Sequence, residues 1–357
     1  MSMHTYALTP ARIDKYKGRI LSHAVPLEVL SRAGRQEKMP KNASKTYVAR
    51  RWLPYGATTS NPNQFFQSNT GVDRTTALIQ AHQTSEGVTP APESIVPQDV
   101  TVVMRQYSCL YGLTDQMTDL YEDDAPAAMK EQIGERVTLV NEQIIYGELK
   151  ASTNNFYGGT GTSRVTVNGP ITLNMIRKMV RSMRANHGQS VTSILKASSN
   201  YGTEAVGAGF FVYGHTDLAA DIRDLPNFTP VEKYASGTPV PNEIGKCEEF
   251  RFVLSPDLPS IQDAGAAVAT WTGSGSAYST TGTSMDVYQF IVLAKDAFSQ
   301  ISIRGKDSID ITFIAPSQKD KSDPLGQRGY AGAIWYKAAM LENSGWCAVG
   351  NVGVKSL

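Results

Sequence analysis

The residues best suited to catalysis are one histidine and two aspartates close together in the sequence. His215 precedes Asp217 and Asp221, so an imidazole and two carboxylates could surround a metal ion, or His215 could act as a general base. No other histidine or cysteine lies nearby in the sequence. We therefore interpret His215 as a structural residue at a turn between a strand and a helix. The rival interpretation is a metal-dependent hydrolase built on these three side chains.

Two other patterns carry chemistry in some proteins. Residues 158–162 (GGTGT) resemble a phosphate-binding glycine loop, but they lack its lysine and follow no apolar strand. Glu122, Asp123 and Asp124 could bind a cation, although capping of a following helix explains them more simply. The sequence contains no serine-hydrolase elbow, zinc-protease motif or P-loop. We expect no catalytic residues, no metal site and no cofactor, and hence a protein that is not an enzyme.

The composition indicates an ordered chain without a global charge bias. Of its 357 residues, 41% are hydrophobic and 19% are charged, and the formal net charge is +1. Cys109, Cys247 and Cys347 are far apart and odd in number, which argues against a disulfide framework or a zinc site. No apolar run approaches the roughly 18 residues of a membrane span, and the N-terminus lacks the apolar core of a signal peptide. We expect no membrane partner and synthesis in a cytoplasm.

Periodic apolar residues predict two helices in the middle of the chain. The first should span residues 126–150, and its apolar stripe comprises Met129, Ile133, Val137, Val140 and Ile144. The second should begin after Thr172 as its N-cap and stop near Gly188. Its basic residues are Arg177, Lys178, Arg181 and Arg184. They could face phosphate, but we favour an ordinary solvated helix face.

The second half of the chain predicts a mixture of strands and short helices. Apolar and β-branched runs predict strands over residues 210–213, 250–254, 287–293, 309–314, 331–341 and 346–354. A short helix capped by Thr216 should end at Pro226. Residues 272–284 form a Gly/Ser/Thr-rich loop to which we assign no role. The fold class predicted from these elements is α+β.

The first part of the chain predicts extended pieces without a core of their own. Frequent prolines and sparse apolar residues predict an extended arm over residues 1–62, which carries eleven basic residues against three acidic ones. The arm could contact nucleic acid or an acidic neighbour, or could be a solvated tail. Residues 75–83 and 99–113 are predicted limbs of a long two-stranded excursion with a proline-bearing tip. Because an exposed hairpin is marginally stable alone, we expect it to lie on another subunit.

Several runs in the C-terminal half resemble a known family. They are residues 215–223 (HTDLAADIR), 242–246 (NEIGK), 250–253 (FRFV) with 255–256 (SP), 292–298 (VLAKDAF), and 321–329 (KSDPLGQRG) with 335–336 (WY). In order and spacing they resemble the major capsid proteins of tailed bacteriophages, of the phage N4-like type with the Hong Kong 97 capsid fold. Residues 86–88 (EGV) and 106–107 (QY) also resemble the family's extended loop. Residues 1–62 match only in general character, and residues 272–284 depart from the pattern.

The resemblance implies both an architecture and a function. Residues 1–62 would be the N-terminal arm, 63–113 the extended E-loop, 114–204 the peripheral domain with its spine helix, 205–315 the axial domain, and 316–357 the last strands of the peripheral domain. The chain would self-assemble into pentamers and hexamers of an icosahedral head shell around double-stranded DNA. It would be assembled in the bacterial host cytoplasm and located in the virion capsid.

The implied partners are further copies of the chain, a portal, scaffolding, decoration proteins and packaged double-stranded DNA bound without sequence specificity. We expect any scaffolding to be a separate protein, because no long N-terminal helical extension is evident. Nothing identifies a crosslinking lysine–asparagine pair, and we predict none. Three rival interpretations stand beside the capsid: an encapsulin-like compartment of the same fold, the hydrolase described above, and a monomeric binding module.

Overall fold

The computed structural model describes residues 25–42, 44–65, 74–90, 92–120, 125–195, 203–234, 239–303, 309–319 and 323–357. The predicted capping acids Asp123 and Asp124 and residues 1–24 of the predicted arm lie outside the described residues.

The α-helices are α1 (Arg74–His82), α2 (Asp115–Leu120), α3 (Ala125–Lys150), α4 (Leu173–Ala185) and α5 (Ala219–Arg223). The strands are β1 (Arg35–Met39), β2 (Thr46–Trp52), β3 (Pro97–Val103), β4 (Arg105–Thr114), β5 (Asn155–Tyr157), β6 (Val191–Leu195), β7 (Thr203–Gly214), β8 (Phe228–Pro230), β9 (Glu243–Cys247), β10 (Phe250–Leu254), β11 (Tyr288–Leu293), β12 (Phe298–Ile303), β13 (Asp310–Ile314), β14 (Arg328–Leu341) and β15 (Cys347–Val352).

These strands form two main sheets and one separate ribbon. The first sheet has the order β1-β12-β14-β13, and β4 also pairs with the long strand β14. The second has the order β5-β15-β11-β7-β10-β9-β8, and β6 also pairs with β7. Strands β2 and β3 form an antiparallel ribbon. The mixture of helices with parallel and antiparallel strands confirms the α+β class.

Helix α3 covers parts of both main sheets. Its N-terminal half buries three residues of the predicted stripe against β4 and β14, namely Met129, Ile133 and Val137. Its C-terminal half buries a second set in a cluster shared with β7 and β11, namely Ile145, Tyr146 and Leu149. The predicted helix over residues 126–150 is confirmed. A single long helix therefore joins two separate cores.

Helix α4 packs on the second sheet through Met175, Ile176, Met179 and Met183. Thr172 Oγ1 accepts the N–H of Met175 at 3.3 Å, which confirms the predicted N-cap. The C-terminus differs from the prediction, because His187 and not Gly188 takes the left-handed conformation, with a φ of 57°. The N–H of Gly188 instead donates to Met183 O at 2.8 Å and closes the last turn.

The predicted strands of the second half are confirmed, since each lies in one of the strands β7, β10, β11, β13, β14 and β15.

The predicted two-stranded excursion is partly wrong. Residues 75–83 lie almost entirely in helix α1, because Ala, Leu and Gln favour a helix where no neighbouring strand provides a ladder. The true partner of β3 is β2, which is earlier in the sequence. The single limb predicted over residues 99–113 is two strands, β3 and β4, separated at the buried Met104.

The expectation that the arm lacks contacts within its own chain is wrong for residues 29–39. Val29 and Leu30 are buried in the cluster that contains the end of α3, and β1 pairs in parallel with β12. Gly34 has a φ of 77°, and a Cβ there would lie 2.6 Å from the Phe298 ring. The chain can cross this aromatic ring only because position 34 has no side chain. Burial of the few apolar residues therefore decides the path of this segment.

Glu142 of α3 fastens the strap, which we define as residues 25–33. Its Oε1 accepts the N–H of Val29 at 3.0 Å and of Leu30 at 2.6 Å, and its Oε2 accepts the N–H of Ser31 at 3.1 Å. Glu142 is 1% exposed. Burial raises the pKa of this carboxyl, and the three N–H groups oppose the rise. The strap therefore supplies the donors that a buried carboxylate requires.

A half-buried lysine supports the same strap through a glutamine. Lys337 Nζ donates to Gln300 Oε1 at 2.7 Å. Gln300 Nε2 donates to Ser31 O at 2.9 Å and to Ala33 O at 2.8 Å. Burial lowers the pKa of Lys337 to about 8, although carboxylates of the strap and of α3 oppose the shift. The folded protein therefore favours the neutral form of this lysine more than the unfolded chain does.

The substitution Glu142→Gln tests the contribution of this carboxylate. A glutamine presents one acceptor oxygen and one amide group, so at least one strap N–H loses its partner. We expect the free energy of unfolding, measured by urea denaturation, to fall by about 1–3 kcal/mol. The control Glu131→Gln lies on the exposed face of the same helix and should change it by less than about 0.5 kcal/mol. Equal losses in the two variants would contradict this role.

The substitution Lys337→Met tests the half-buried lysine through pH. A pKa lowered in the folded state means that the unfolded chain binds more protons at alkaline pH, so stability should rise with pH. We expect the free energy of unfolding of the unmodified protein to rise between pH about 8 and roughly 10.4, the ordinary lysine pKa. The rise should be smaller in Lys337→Met. Parallel pH profiles for the two proteins would refute this assignment.

Candidate interaction surfaces

The β2–β3 ribbon has one face covered by its own chain and one face that is open. Tyr47, Ala49, Val100 and Val102 point inward and pack beside a cluster that contains Met39, Met104, Ile301, Ala338 and Met340. We call the opposite side the outer ribbon face, which comprises Val48, Arg50, Trp52, Asp99 and Val103. Trp52 is 62% exposed and Val48 52%. A tryptophan this exposed on a strand is typical of an interface residue.

The chain beyond the ribbon has even fewer contacts. We call residues 74–96, which contain α1, the apical segment. Among its side chains that the structure describes, none is buried, although Ile79, Val88 and Ile95 are large and apolar. The His82 ring lies edge-on to Tyr55 with centroids 5.1 Å apart. An isolated helix of nine residues is marginal in water, and the described residues of this chain bury none of the described side chains of α1.

The first sheet also has an apolar outer face. Along β4 and β14, Cys109, Ala333 and Trp335 point toward α3, and the alternate residues Leu110 and Ile334 point away from it. Leu110 is 53% exposed and Ile334 49%. We call these two residues, with Ile314 of β13, the outer sheet face. Because one face of this sheet is covered and the other is not, the subunit has a second surface suited to a partner.

Three arginines in the described part of the predicted arm pair with residues of their own chain. Arg50 pairs with Asp99 across the ribbon, with Nε donating to Oδ1 at 2.7 Å and Nη2 to Oδ2 at 2.9 Å. Arg51 donates to Gln98 Oε1 at 2.8 Å through Nε. Arg35 pairs with Glu37 at 2.6 Å. In the described part of the arm, these arginines therefore engage their own chain.

Two basic residues of α4 are likewise paired. Arg177 Nη2 lies 2.6 Å from Glu248 Oε1, and Arg184 Nη2 lies 2.7 Å from Glu249 Oε2. All four side chains are partly or largely exposed, so each pair contributes little stability. The pairing favours a solvated helix face over a phosphate-binding one.

His215 caps a turn at the end of β7. Its Nδ1 accepts the N–H of Asp217 at 3.1 Å and so caps the 3₁₀ turn Thr216–Leu218. The predicted cap Thr216 is therefore wrong, and His215 takes that role because its ring reaches over the first turn. Asp217 Oδ2 accepts the Tyr288 hydroxyl proton at 2.7 Å. Burial and this hydrogen bond raise the pKa of Tyr288.

Asp221 is engaged elsewhere and does not complete a catalytic cluster. Its Oδ2 accepts the N–H of Lys355 at 3.1 Å, which ties α5 to the end of the chain. Burial raises the pKa of this carboxyl, and the Lys355 N–H opposes the rise. Among the described residues, no group of three or more His, Cys, Asp or Glu side chains is arranged to hold a metal ion. His215, Asp217 and Asp221 each have a hydrogen-bond partner within the described part of the chain.

The glycine loop at residues 158–162 forms hydrogen bonds with other residues of its own chain. Thr160 N–H donates to Asn168 Oδ1 at 2.9 Å, and Asn168 Nδ2 donates to Thr160 Oγ1 at 3.0 Å. Gly158 N–H donates to Asn351 O at 2.8 Å. Two backbone donors that a phosphate cradle would use are thus engaged by the chain itself.

The loop at residues 272–284, to which the sequence assigned no role, is held by two aspartates. Asp286 is 1% exposed, and its Oδ2 accepts the Thr280 hydroxyl proton at 2.6 Å. Asp263 Oδ1 accepts the Thr281 hydroxyl proton at 2.7 Å. Small hydroxyl residues therefore serve here as internal hydrogen-bond partners.

No helix in the described part of the chain combines the length and the apolar character needed to cross a bilayer.

Comparisons with known proteins agree with this geometry. No family model matches the chain. A curated relative, the major capsid protein of Pseudomonas phage KPP21, is 22% identical over 208 residues, which cover 54% of this chain and 51% of that protein. The chain thus spans about half the length of the curated relative it matches.

Solved structures match over nearly the whole chain. The capsid of Ralstonia phage GP4 gives a TM-score of 0.59 at 9% identity, covering 99% of each chain. The capsid asymmetric unit of cyanophage Pam1 gives 0.56 at 12% identity, covering 99% of this chain and 100% of that one. The capsid of cyanophage P-SCSP1u gives 0.55 at 11% identity, covering 97% and 94%. The fold is therefore that of phage capsid proteins, the Hong Kong 97-like fold.

Substitutions at His215 distinguish a cap from a catalytic base. We expect His215→Ala to lower the free energy of unfolding by about 1 kcal/mol, as measured by urea denaturation, because the turn loses its acceptor. His215→Asn should restore most of this loss, since asparagine can accept the same N–H. If asparagine failed to restore stability while alanine was harmful, the capping role would be wrong.

Proposed function

We propose that this protein is the shell-forming subunit of a tailed-phage head. The observation that carries the proposal is the apical segment, whose large apolar side chains have no buried place in their own chain. The outer ribbon face and the outer sheet face repeat this pattern at two further places. A subunit with several such surfaces gains stability only by contacting several neighbours.

The proposed arrangement assigns a role to each part. Helix α3 is the spine helix of the peripheral domain, which comprises residues 114–204 and 316–357, and residues 205–315 form the axial domain around fivefold and sixfold axes. The apical segment and β3 belong to the extended loop of residues 63–113, which lies on an adjacent copy. The strap and β2 belong to the N-terminal arm of residues 1–62. These roles follow the family resemblance and agree with the exposure of the ribbon.

The proposal also implies partners and a location. Pentamers and hexamers of the chain enclose double-stranded DNA, and a portal, scaffolding and decoration proteins act with them. Assembly takes place in the bacterial host cytoplasm and the product is the virion capsid. Asp99 offsets the charge of Arg50 within the ribbon, and Gln98 engages Arg51. DNA contact would therefore fall to other residues of the arm.

Single substitutions on the open surfaces test the proposal. We expect Trp52→Ser and Ile79→Ser to prevent shell formation while leaving the subunit folded, since both side chains are more than half exposed. Loss of a buried aromatic anchor costs about 2 kcal/mol or more at each interface, and a shell repeats that interface many times. Light scattering and electron microscopy measure the shells, and thermal unfolding checks the subunit.

The control is Val165→Ser. Val165 is 69% exposed on the 3₁₀ turn Arg164–Thr166, outside the three open surfaces. This variant should assemble like the unmodified protein. Shells of normal yield from both Trp52→Ser and Ile79→Ser, or an unmodified protein that stays monomeric under every condition, would refute the proposed function.

A further inference from the structure

The chain that leaves the ribbon is fastened to the body at Asn63. Asn63 Nδ2 donates to Asn343 Oδ1 at 2.8 Å and to Asn186 Oδ1 at 3.3 Å. In return, Asn343 Nδ2 donates to Asn63 Oδ1. We call these three side chains the asparagine clip. The clip joins positions more than a hundred residues apart, so it fixes where the excursion runs over the subunit.

Residues next to the asparagine clip contact the loop that carries Asn63 and leave space for its side chain. The Asn63 carbonyl oxygen lies 3.1 Å from His187 Nδ1, and the Phe65 ring meets the His187 ring edge-on with centroids 4.7 Å apart. A Cβ at Gly345 would overlap Asn63 Nδ2 and lie 2.8 Å from Asn186 Cγ. The φ of Gly345 is not in the left-handed region. Space for Asn63, and not backbone conformation, is therefore the reason that glycine suits this position.

The body side of the clip is built independently of Asn63. Asn186 Nδ2 donates to Ser182 O at 2.8 Å, and Asn186 O accepts the Trp346 indole N–H at 2.7 Å. Asn343 Oδ1 also accepts the N–H of Gly345 at 3.1 Å. The receiving groups thus keep their positions when Asn63 departs. Asn343 is 3% exposed in the closed contact, so opening of the clip requires water to reach its amide in place of Asn63.

We propose that the asparagine clip is an autoinhibitory contact of the unassembled subunit. The inference rests on the proposed function, in which the apical segment lies on a neighbour. Closed, the clip fixes Asn63 on its own subunit, eleven residues before the apical segment begins, and so restricts how far that segment can extend. Released, the segment can meet neighbours in both pentamers and hexamers. The assembly-competent fraction of free subunits is then set by the opening of the clip.

Two substitutions open the clip from opposite sides. Asn63→Ala removes its donors and acceptor, and Gly345→Ala inserts a methyl group where Asn63 Nδ2 lies. The control Asn61→Ala changes an exposed asparagine of the same loop. We expect both clip variants to assemble roughly tenfold faster than the unmodified protein, which corresponds to about 1.4 kcal/mol. The control should keep the unmodified rate.

Two measurements on the full chain separate the possible outcomes. Hydrogen exchange of unassembled subunits should show faster exchange at residues 63–65 in both clip variants, and light scattering follows assembly. Faster exchange together with faster assembly supports the clip. Unchanged exchange, or assembly that is unchanged or slower, overturns it, and the proposed function stands if shells still form. If no protein in the set assembles under any condition, the proposed function fails and the autoinhibitory role fails with it.

Discussion

The constraint on which the structure depends is that one helix must complete two cores. Helix α3 buries Ile133 against the first sheet and Leu149 near the second, so it contributes apolar side chains to the cores of both. Between these regions the helix places Glu142 in the interior, where the backbone N–H groups of the strap hydrogen-bond its carboxylate. A buried carboxylate without donors is costly. The strap, the helix and both sheets must therefore form together.

This coupling explains why the subunit can be stable and still have open apolar surfaces. The inner ribbon face, one face of the first sheet and the helix stripe are all satisfied within the chain. The exposed side chains Trp52, Leu110 and Ile334 alternate with buried or half-buried ones on the same strands. Successive residues of a strand point to opposite faces of the sheet. The residues of one face can therefore form a core while those of the other face remain exposed. The apical segment goes further, because neither side of α1 has a core.

Local patterns in the sequence predicted the elements that carry strong periodicity. The stripe that includes Ile133 located α3, and the apolar run at β10 located a buried strand. The first limb of the ribbon was missed because β2 alternates exposed and half-buried residues, and its inner face meets Met39 and Ile301 only after folding. The cap at His215 was assigned one residue too late, since a histidine cap lacks the usual short polar side chain.

Long-range polar contacts could not be predicted from local sequence patterns, because the partners lie far apart in the sequence. Glu142 resembles any other charge on a helix until the strap, more than a hundred residues away, covers it. Asn63 and Asn343 are 280 residues apart, and nothing in their surroundings marks them as partners. The two contacts nevertheless differ in kind. Without its donors the buried carboxylate would be an unpaired charge or would have to take up a proton, so its bonds are hard to break, whereas the neutral amides of the clip carry no charge penalty. A subunit that must keep its core and redirect its excursion needs the first kind of contact inside and the second at the base of the moving part.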